Sequence, residues 1–283
     1  MKSSDRTSST EAARMRSGAE RIADLFVTAR REERSVFLPF LTAGLPDLGS
    51  SPAMFQAMAE AGADGFEVGI PYSDPLMDGP VICRGSEQAI GAGATLDRSL
   101  SILGEVSETT GLPSLAMTYA NPVFRRGADW FCDRLAEAGA AGLIVADLPF
   151  DEAEPLGEAA RRHGLGMVLF VALTSTYNRI KAVAEASPTF IYAVANLGVT
   201  GERSEWSSRV EELVERIRDV TDIPVVLGVG ISNPEQAAVA ARLADGFIVG
   251  TALVRRVLES SDPQNAAGAL ATAVSEMAAA ARW

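Results

Sequence analysis

Histidine, cysteine and lysine are scarce in this sequence. The 283 residues include one histidine, two cysteines and two lysines, namely His163, Cys83, Cys132, Lys2 and Lys181. The cysteines lie far apart and form neither a CxxC motif nor a Cys/His cluster, so no metal site is expected.

This scarcity excludes several kinds of active site. A histidine-based zinc site, a Ser-His-Asp triad and a Cys-His pair would all need His163. That residue follows Arg161 and Arg162 at the predicted end of a helix, where a cation suits the helix dipole. A Schiff-base aldolase would need Lys181, which lies in the predicted helix Tyr177–Ala186. The chemistry is therefore expected to rest on carboxylates and hydroxyls.

Long apolar runs are also missing. No segment approaches the roughly 18 uninterrupted apolar residues that predict a membrane span, and the Ser- and Thr-rich segment Met1–Thr10 lacks the apolar core of a secretory signal. The formal net charge of -12 and the pI near 4.7 disfavour nucleic acid or an anionic membrane as a partner. We therefore expect a cytoplasmic protein that binds any phosphate locally, through backbone amides or a single cation.

What the sequence does contain is an alternation of short apolar runs with amphipathic stretches. The runs predict eight strands: Val36–Leu41, Gly65–Val68, Ser114–Thr118, Gly142–Ala146, Met167–Ala172, Thr189–Val194, Pro224–Leu227 and Gly246–Val249. Helical patterns between them include Pro52–Ala61, Trp130–Ala138, Glu152–His163, Ser207–Val220 and Pro234–Leu243. This alternation predicts parallel strands joined by crossover helices, and the unbroken apolarity predicts strands buried on both faces.

Eight such units favour a closed barrel, an α/β fold of the (β/α)8 TIM type, over an open doubly wound sheet. The GxGxxG fingerprint of the latter is absent after the first strand. The segment Arg16–Arg34 predicts a leading helix that plugs the barrel floor, and Asn265–Ala281 predicts a closing helix. We expect residues 1–15 to form a flexible extension and residues 16–283 to form one barrel domain.

The second predicted strand carries a carboxylate. Glu67 lies inside the apolar run, where an ionised group is costly to bury. Either it pairs with a cation or its pKa is raised so that it donates and accepts protons. Active sites of such barrels lie at the carboxyl ends of the strands, which favours the catalytic alternative. The loop that follows holds Asp74 and Asp78, and a solvated turn residue is the simpler interpretation of Asp74.

Glycines at the ends of later strands predict a phosphate site. Strand seven ends in Gly228-Val229-Gly230 and strand eight in Gly250-Thr251, and each is followed by a predicted helix. Helix N-termini with adjacent glycines bind anions through backbone N–H groups, and in these barrels this happens after strands seven and eight. The substrate is therefore expected to carry a phosphate.

Several motifs taken together resemble one family. The segments Phe37–Gly44, Glu67–Pro80, Tyr119–Pro122, Ala146–Pro149 and Gly198–Gly201 are similar, in order and spacing, to those of the tryptophan synthase alpha subunit family. The similarity runs from about Ile22 to Leu258, and the Glu67–Pro80 segment is its most specific part. The resemblance implies a retro-aldol cleavage of indole-3-glycerol phosphate to indole and glyceraldehyde 3-phosphate.

The resemblance also implies roles for individual residues. Glu67 corresponds to the general acid/base, Asp78 to the carboxylate that accepts a hydrogen bond from the indole N–H, and Tyr192 to a tyrosine beside Glu67. Positions that correspond to the indole pocket and the phosphate cradle are Phe40, Met117, Val229, Thr200, Gly201, Gly230, Gly250 and Thr251. No metal or organic cofactor is implied for this chain, since pyridoxal phosphate belongs to the family's beta subunit.

The same resemblance implies a protein partner. Members of the family work with a beta subunit in an alpha2-beta2 assembly, and Pro71, Asp74 and Asn121 correspond to loop positions at that contact. The loop around Gly198–Arg203 would close over the substrate and exclude water.

The sequence departs from the family pattern near this loop and its support. Ala195 stands where the family usually has serine, followed by Asn196 and Leu197, and Leu173 stands where it has proline. Four functions therefore stay open: an alpha subunit acting with a beta partner, a stand-alone lyase of a specialised pathway, a non-catalytic activator of a beta subunit, and another phosphate-binding barrel. The presence of Glu67, Asp78 and Tyr192 together opposes the third, and the Glu67–Pro80 segment opposes the fourth.

Overall fold

A computed structural model describes residues 16–194, 203–228 and 230–282. Its centre is a closed barrel in which eight parallel strands follow one another in sequence order. The strands are β1 Val36–Thr42, β2 Phe66–Gly69, β3 Ser114–Thr118, β4 Gly142–Val145, β5 Gly166–Ala172, β6 Ile191–Val194, β7 Val225–Gly228 and β8 Gly246–Val249. The predicted (β/α)8 fold is confirmed.

Helices surround the barrel. In chain order they are α1 Gly18–Arg31, α2 Ser51–Glu60, α3 Pro80–Gly91, α4 Leu96–Thr110, α5 Ala120–Arg126, α6 Ala128–Glu137, α7 Glu154–Arg162, α8 Tyr177–Ala186, α9 Arg203–Arg218, α10 Pro234–Leu243, α11 Thr251–Glu259 and α12 Pro263–Ala280. Between the sheet and the helices lies one apolar layer, in which Phe66 of β2 meets Phe55 of α2 edge-on with ring centroids 5.3 Å apart.

The predicted bounds of β3 and β8 agree with the observed ones, and those of the other six strands differ by one or two residues. Strand β6 begins at Ile191 instead of Thr189, although Thr189 is buried. Strand β2 extends to Gly69, where a Cβ atom would lie 2.6 Å from the ring of Phe40. Only glycine allows the ring to approach the backbone this closely. The strand therefore includes Gly69, which the sequence pattern assigns to the loop.

Helix α1 plugs the floor of the barrel, as the sequence predicts. Ser17 and Glu20 form a capping box at its start. Its apolar face buries Ile22 and Phe26, which are 1% and 7% exposed. A Cβ at Gly166, the first residue of β5, would lie 3.0 Å from Cδ1 of Ile22. The leading helix therefore seals the amino ends of the strands and leaves the carboxyl ends open.

The histidine and the described lysine that the sequence argument excludes from catalysis lie away from the open end, whereas Cys83 lies beside the loop after β2, with its Sγ 3.5 Å from the carbonyl of Asp78. His163 follows α7, with Nε2 3.2 Å from Asp129 Oδ1 and Nδ1 3.5 Å from Asp133 Oδ1. Lys181 is exposed on α8. Both cysteines are free thiols. In the described part of the chain, no helix combines the length and apolarity that crossing a membrane requires.

The plug helix generates a stability prediction. Ile22→Ala removes a fully buried side chain, and we expect the free energy of unfolding to fall by roughly 2–5 kcal/mol in urea titrations. Val27→Ala is the matched control on the same helix, because Val27 is 50% exposed, and its effect should stay within about 0.5 kcal/mol. Equal effects of the two substitutions would contradict the assignment of α1 as a structural plug.

Candidate active site

Glu67 is the buried acid at the open end of the barrel. It pairs in register with Phe40 of β1 and is 1% exposed. In the described ranges no lysine or arginine is among the groups that act on its carboxyl group. Burial above all, together with the nearby carboxylate of Asp78, raises the pKa of Glu67 to about 8, although the hydrogen bond from Tyr192 opposes the rise. Of the two alternatives left by the sequence, the structure has the carboxyl group with a raised pKa rather than the ion pair.

Tyr192 supplies a hydroxyl to this acid. The Tyr192 hydroxyl donates a hydrogen bond to Oε2 of Glu67 at 3.5 Å, whereas Oε1 of Glu67 has no partner among the described residues. Burial raises the pKa of Tyr192 well above its ordinary value, so the hydroxyl keeps its proton and remains a donor. One carboxylate oxygen is thus held by the protein and the other is free for a ligand.

Asp78 is the second carboxylate of the cavity. It lies in the loop after β2, where its backbone N–H donates to the carbonyl of Pro75 at 2.9 Å. Burial raises the pKa of Asp78, and a hydrogen bond from the hydroxyl of Tyr119 opposes that rise. Asp78 and Glu67 therefore differ in environment, since the larger pKa shift falls on the more deeply buried acid.

Tyr119 is a residue of the site that sequence reasoning missed. It is 3% exposed. Its hydroxyl accepts a hydrogen bond from the backbone N–H of Met77 at 3.3 Å and donates one to the carboxylate of Asp78. Its ring stacks on Tyr72, with centroids 5.1 Å apart. A signal was present, because Tyr119 directly follows β3 and begins one of the motifs quoted above, but no pattern along the chain links it to Asp78.

Glu67, Asp78 and Tyr192 line one cavity of about 170 Å³ at the carboxyl ends of the strands. The structure brings to this cavity eight of the residues that the sequence singled out, namely Glu67, Asp78, Tyr192, Phe40, Met117, Gly230, Gly250 and Thr251. It also brings there Gly228, one of the strand-end glycines quoted above, and adds three residues that were not assigned to the site: Ile82, Ile231 and Ile248. The apolar members suit an aromatic ligand, and the acids lie on the β2 side.

The start of α11 is the best candidate for the phosphate site. Gly250 and Thr251 line the cavity where α11 begins, and no side chain of the described residues caps that helix. At α10, by contrast, Asn233 already accepts the N–H of Gln236 at 2.9 Å. The sequence did not separate these two helix starts. Helix α11 therefore begins in the cavity wall, and its first N–H groups have no side-chain cap from the described residues, which suits an anion site.

Several predicted residues lie outside the described ranges. They are Thr200, Gly201 and Val229 of the predicted pocket and cradle, the departures Ala195, Asn196 and Leu197, most of the Gly198–Arg203 segment, and the extension 1–15. Leu173, the remaining departure, lies after β5. Its carbonyl accepts a hydrogen bond from Arg216 of α9 at 3.1 Å. Helix α9 therefore holds the loop after β5 in position.

The predicted partner residues lie beside the cavity mouth. Pro71 and Asp74 are in the loop after β2, and Asn121 is on α5, where its Nδ2 donates to the hydroxyl of Tyr72 at 2.8 Å. Three apolar side chains on the same two segments are exposed to solvent, namely Leu76 at 81%, Met77 at 64% and Phe124 at 47%. We call these six residues the rim surface.

Comparison with known proteins identifies the family. The sequence profile described as Tryptophan synthase alpha chain matches residues 26–282. The chain belongs to the tryptophan synthase alpha chain family. The alpha chain of a Synechocystis species is 44% identical over 241 residues, which are 85% of this chain and 91% of that one. The alpha chain of Prochlorococcus marinus is 45% identical and covers 83% and 86% of the two chains.

Solved structures agree with this membership. A chain of Mycobacterium tuberculosis tryptophan synthase superposes with a TM-score of 0.85 at 40% identity, covering 93% of this chain and 98% of that one. The predicted family, the lyase class and the function of a tryptophan synthase alpha chain are therefore confirmed. Among the residues that the structure describes, no group of three or more His, Cys, Asp or Glu is arranged to hold a metal ion.

The raised pKa of Glu67 makes stability depend on pH in this alpha chain. The unfolded group titrates near 4.5 and the folded one near 8, so the folded state binds the additional proton between these values. Stability from this group is present below pH 4.5 and is lost as pH rises toward 8. We expect the free energy of unfolding of the wild type to fall relative to Glu67→Gln, by up to about 1.4 kcal/mol per pH unit in that window.

Urea titrations of both proteins at several pH values measure this difference. Tyr192→Phe is a useful companion, because losing a hydrogen bond that lowers the pKa of Glu67 should widen the window upward. Parallel stability curves for the wild type and Glu67→Gln would contradict a neutral Glu67 in the folded protein.

Proposed function

We propose that this chain cleaves indole-3-glycerol phosphate with Glu67 as the acid/base and Asp78 as the electrostatic partner of the indole ring. The observation that carries the proposal is the buried carboxyl of Glu67, which has a raised pKa and one oxygen without a partner in the described part of the chain. A group with a pKa of about 8 is protonated at neutral pH and ionises once it has donated its proton.

The cleavage begins with proton transfer to carbon. Protonated Glu67 donates its proton to C3 of indole, and the positive charge that develops on the ring nitrogen is stabilised by the carboxylate of Asp78, which accepts the N–H hydrogen bond. Tyr119 supports the ionised form of Asp78 through its hydroxyl. The carboxylate is preorganised, so it stabilises the charge without moving during the reaction.

Bond cleavage returns the proton to Glu67. The ionised Glu67 accepts the proton of the side-chain hydroxyl, the carbon that bears it becomes the aldehyde carbon, and the electron pair of the broken C–C bond restores the indole ring. The tyrosine hydroxyl of Tyr192 stabilises Glu67 while it is ionised. Glu67 ends protonated, so the two side chains complete the acid–base cycle without a metal or an organic cofactor.

We place the phosphate of the substrate at the start of α11. Gly250 and Thr251 lie in the cavity wall there, and a helix N-terminus carries about half a positive charge. This suits a chain with a formal charge of -12, because the anion is bound by local dipoles and not by the overall field. The two free thiols are consistent with action in the reducing cytoplasm.

Indole release from indole-3-glycerol phosphate tests these roles. Glu67→Gln should lower kcat by roughly 10²–10⁴-fold, because it keeps the shape of the side chain but removes the transferable proton. Asp78→Asn should lower kcat by about 10²-fold or more, since the neutral amide stabilises the ring charge less. For the wild type, kcat/KM should fall as pH rises through about 8, where Glu67 loses its proton.

Glu87→Gln serves as a control, because Glu87 is an exposed acid on α3 outside the cavity, and it should leave kcat unchanged. A Glu67→Gln enzyme with wild-type turnover would contradict the acid/base role. A fully active Asp78→Asn enzyme would contradict only the contact with the indole nitrogen. An inactive wild type that still stimulates a beta subunit would favour the non-catalytic alternative.

We further propose that the rim surface binds a beta subunit. The three exposed apolar side chains there form a contact surface that water solvates poorly, and Asp74 adds an exposed charge beside them. Burial of this surface would also cover the loop that holds Asp78. Binding and catalysis would then be coupled through that loop.

One pair of variants tests whether the rim surface makes an apolar contact with the beta subunit. Leu76→Asp should weaken association with a tryptophan synthase beta subunit by 10-fold or more in analytical ultracentrifugation, because it places a charge in an apolar contact. Val27→Asp, on helix α1 at the opposite end of the barrel, should leave association unchanged. If the chain alone turns over substrate as fast as its mixture with the beta subunit, the stand-alone lyase is the better description.

A further inference from the structure

Phe170 lies against the ring of the tyrosine that serves Glu67. Strands β5 and β6 are paired so that Phe170 is the register partner of Tyr192, and neighbours in a parallel pair direct their side chains to the same face of the sheet. The two rings are stacked, with centroids 5.1 Å apart and planes at 27°. Phe170 is half-buried and is not among the residues that line the cavity.

The hydrogen bond of Tyr192 is too weak to fix the ring by itself. Its length of 3.5 Å is at the upper limit for an O–H···O contact, which is ordinarily about 2.7 Å. The position of the hydroxyl must therefore depend on the packing of the ring. An aromatic pair in this geometry contributes more than the area that it buries.

Strand β7 bounds the ring from the other side. A Cβ added at Gly228 would lie 2.2 Å from Cε2 of Tyr192 and 2.7 Å from its hydroxyl oxygen. The ring therefore occupies the space that glycine leaves, and β5 contributes the phenyl ring opposite. Removal of the phenyl ring leaves Tyr192 with backbone contact on the β7 side and a gap on the β5 side.

We propose that Phe170 is a positioning residue, which keeps the hydroxyl of Tyr192 on Oε2 of Glu67 through the aromatic stack. This rests on the proposed function, in which Glu67 transfers the proton. Without the stack the hydroxyl leaves the carboxyl group more often, so the ionised form of Glu67 loses its donor. The proton transfer slows, whereas phosphate and indole binding is unaffected.

The test is a double-mutant cycle on the full chain, with indole release as the assay. Phe170→Leu keeps an apolar side chain of similar reach but removes the ring. We expect it to lower kcat by roughly 2- to 10-fold, the amount that an aromatic pair provides, with little change in KM. The basic limb of the kcat/KM profile should move to higher pH, in the same direction as in Tyr192→Phe.

Coupling between the two residues separates positioning from a general packing effect. In the Tyr192→Phe background, Phe170→Leu should have no further effect on kcat or on the pH profile. Val171→Ala is the matched control, because Val171 is the next residue of β5, fully buried, and directed to the opposite face. It should lower the urea midpoint without moving the basic limb.

Two results would overturn the inference. One is an equal loss of activity on Phe170→Leu with and without the tyrosine hydroxyl. The other is an unmoved basic limb in Phe170→Leu when Tyr192→Phe does move it, which would leave the role of Tyr192 intact. Active Glu67→Gln would instead show that the proposed function itself is wrong.

Discussion

The burial of Glu67, with no cationic partner among the residues that the structure describes, is the constraint on which the rest of the site depends. An ionised carboxylate in an apolar wall is costly, so the folded protein keeps the group protonated up to a pKa of about 8. This raised pKa is also what makes the group a proton donor at neutral pH. The stability lost by burying an acid and the catalytic use proposed for that acid thus have the same physical origin.

The barrel accommodates this buried acid because neighbouring residues at the open end supply a hydrogen-bond donor and the space for it. Tyr192 holds one carboxyl oxygen, and Gly228 leaves room for the tyrosine ring. The loop after β2 adds Asp78, whose charge is in turn supported by Tyr119. These residues come from β2, β6 and β7 and from the loops after β2 and β3, so the site exists only when the barrel is closed.

The sequence predicted what is local and periodic. Eight apolar runs identified the strands, and the position of Glu67 inside one of them identified the acid. It did not predict Tyr119, because the contact with Asp78 joins two loops that meet only in the folded protein. Nor did it distinguish the starts of α10 and α11, since both follow glycines. The side-chain cap at Asn233, which makes the difference, is a matter of geometry and not of composition.

The relative positions of acid and anion site follow from strand order. Strand β1 lies between β2, which carries Glu67, and β8, which leads into α11. Its Phe40 fits against glycines on both sides: a Cβ at Gly69 would lie 2.6 Å from the ring and one at Gly250 would lie 3.3 Å from it. The ring therefore separates Glu67 from the proposed phosphate site by the width of one aromatic side chain. In the proposed binding mode, a substrate with its phosphate at α11 would extend across Phe40 to reach the acid, so the same residue would set the distance and provide an apolar surface for an indole ring.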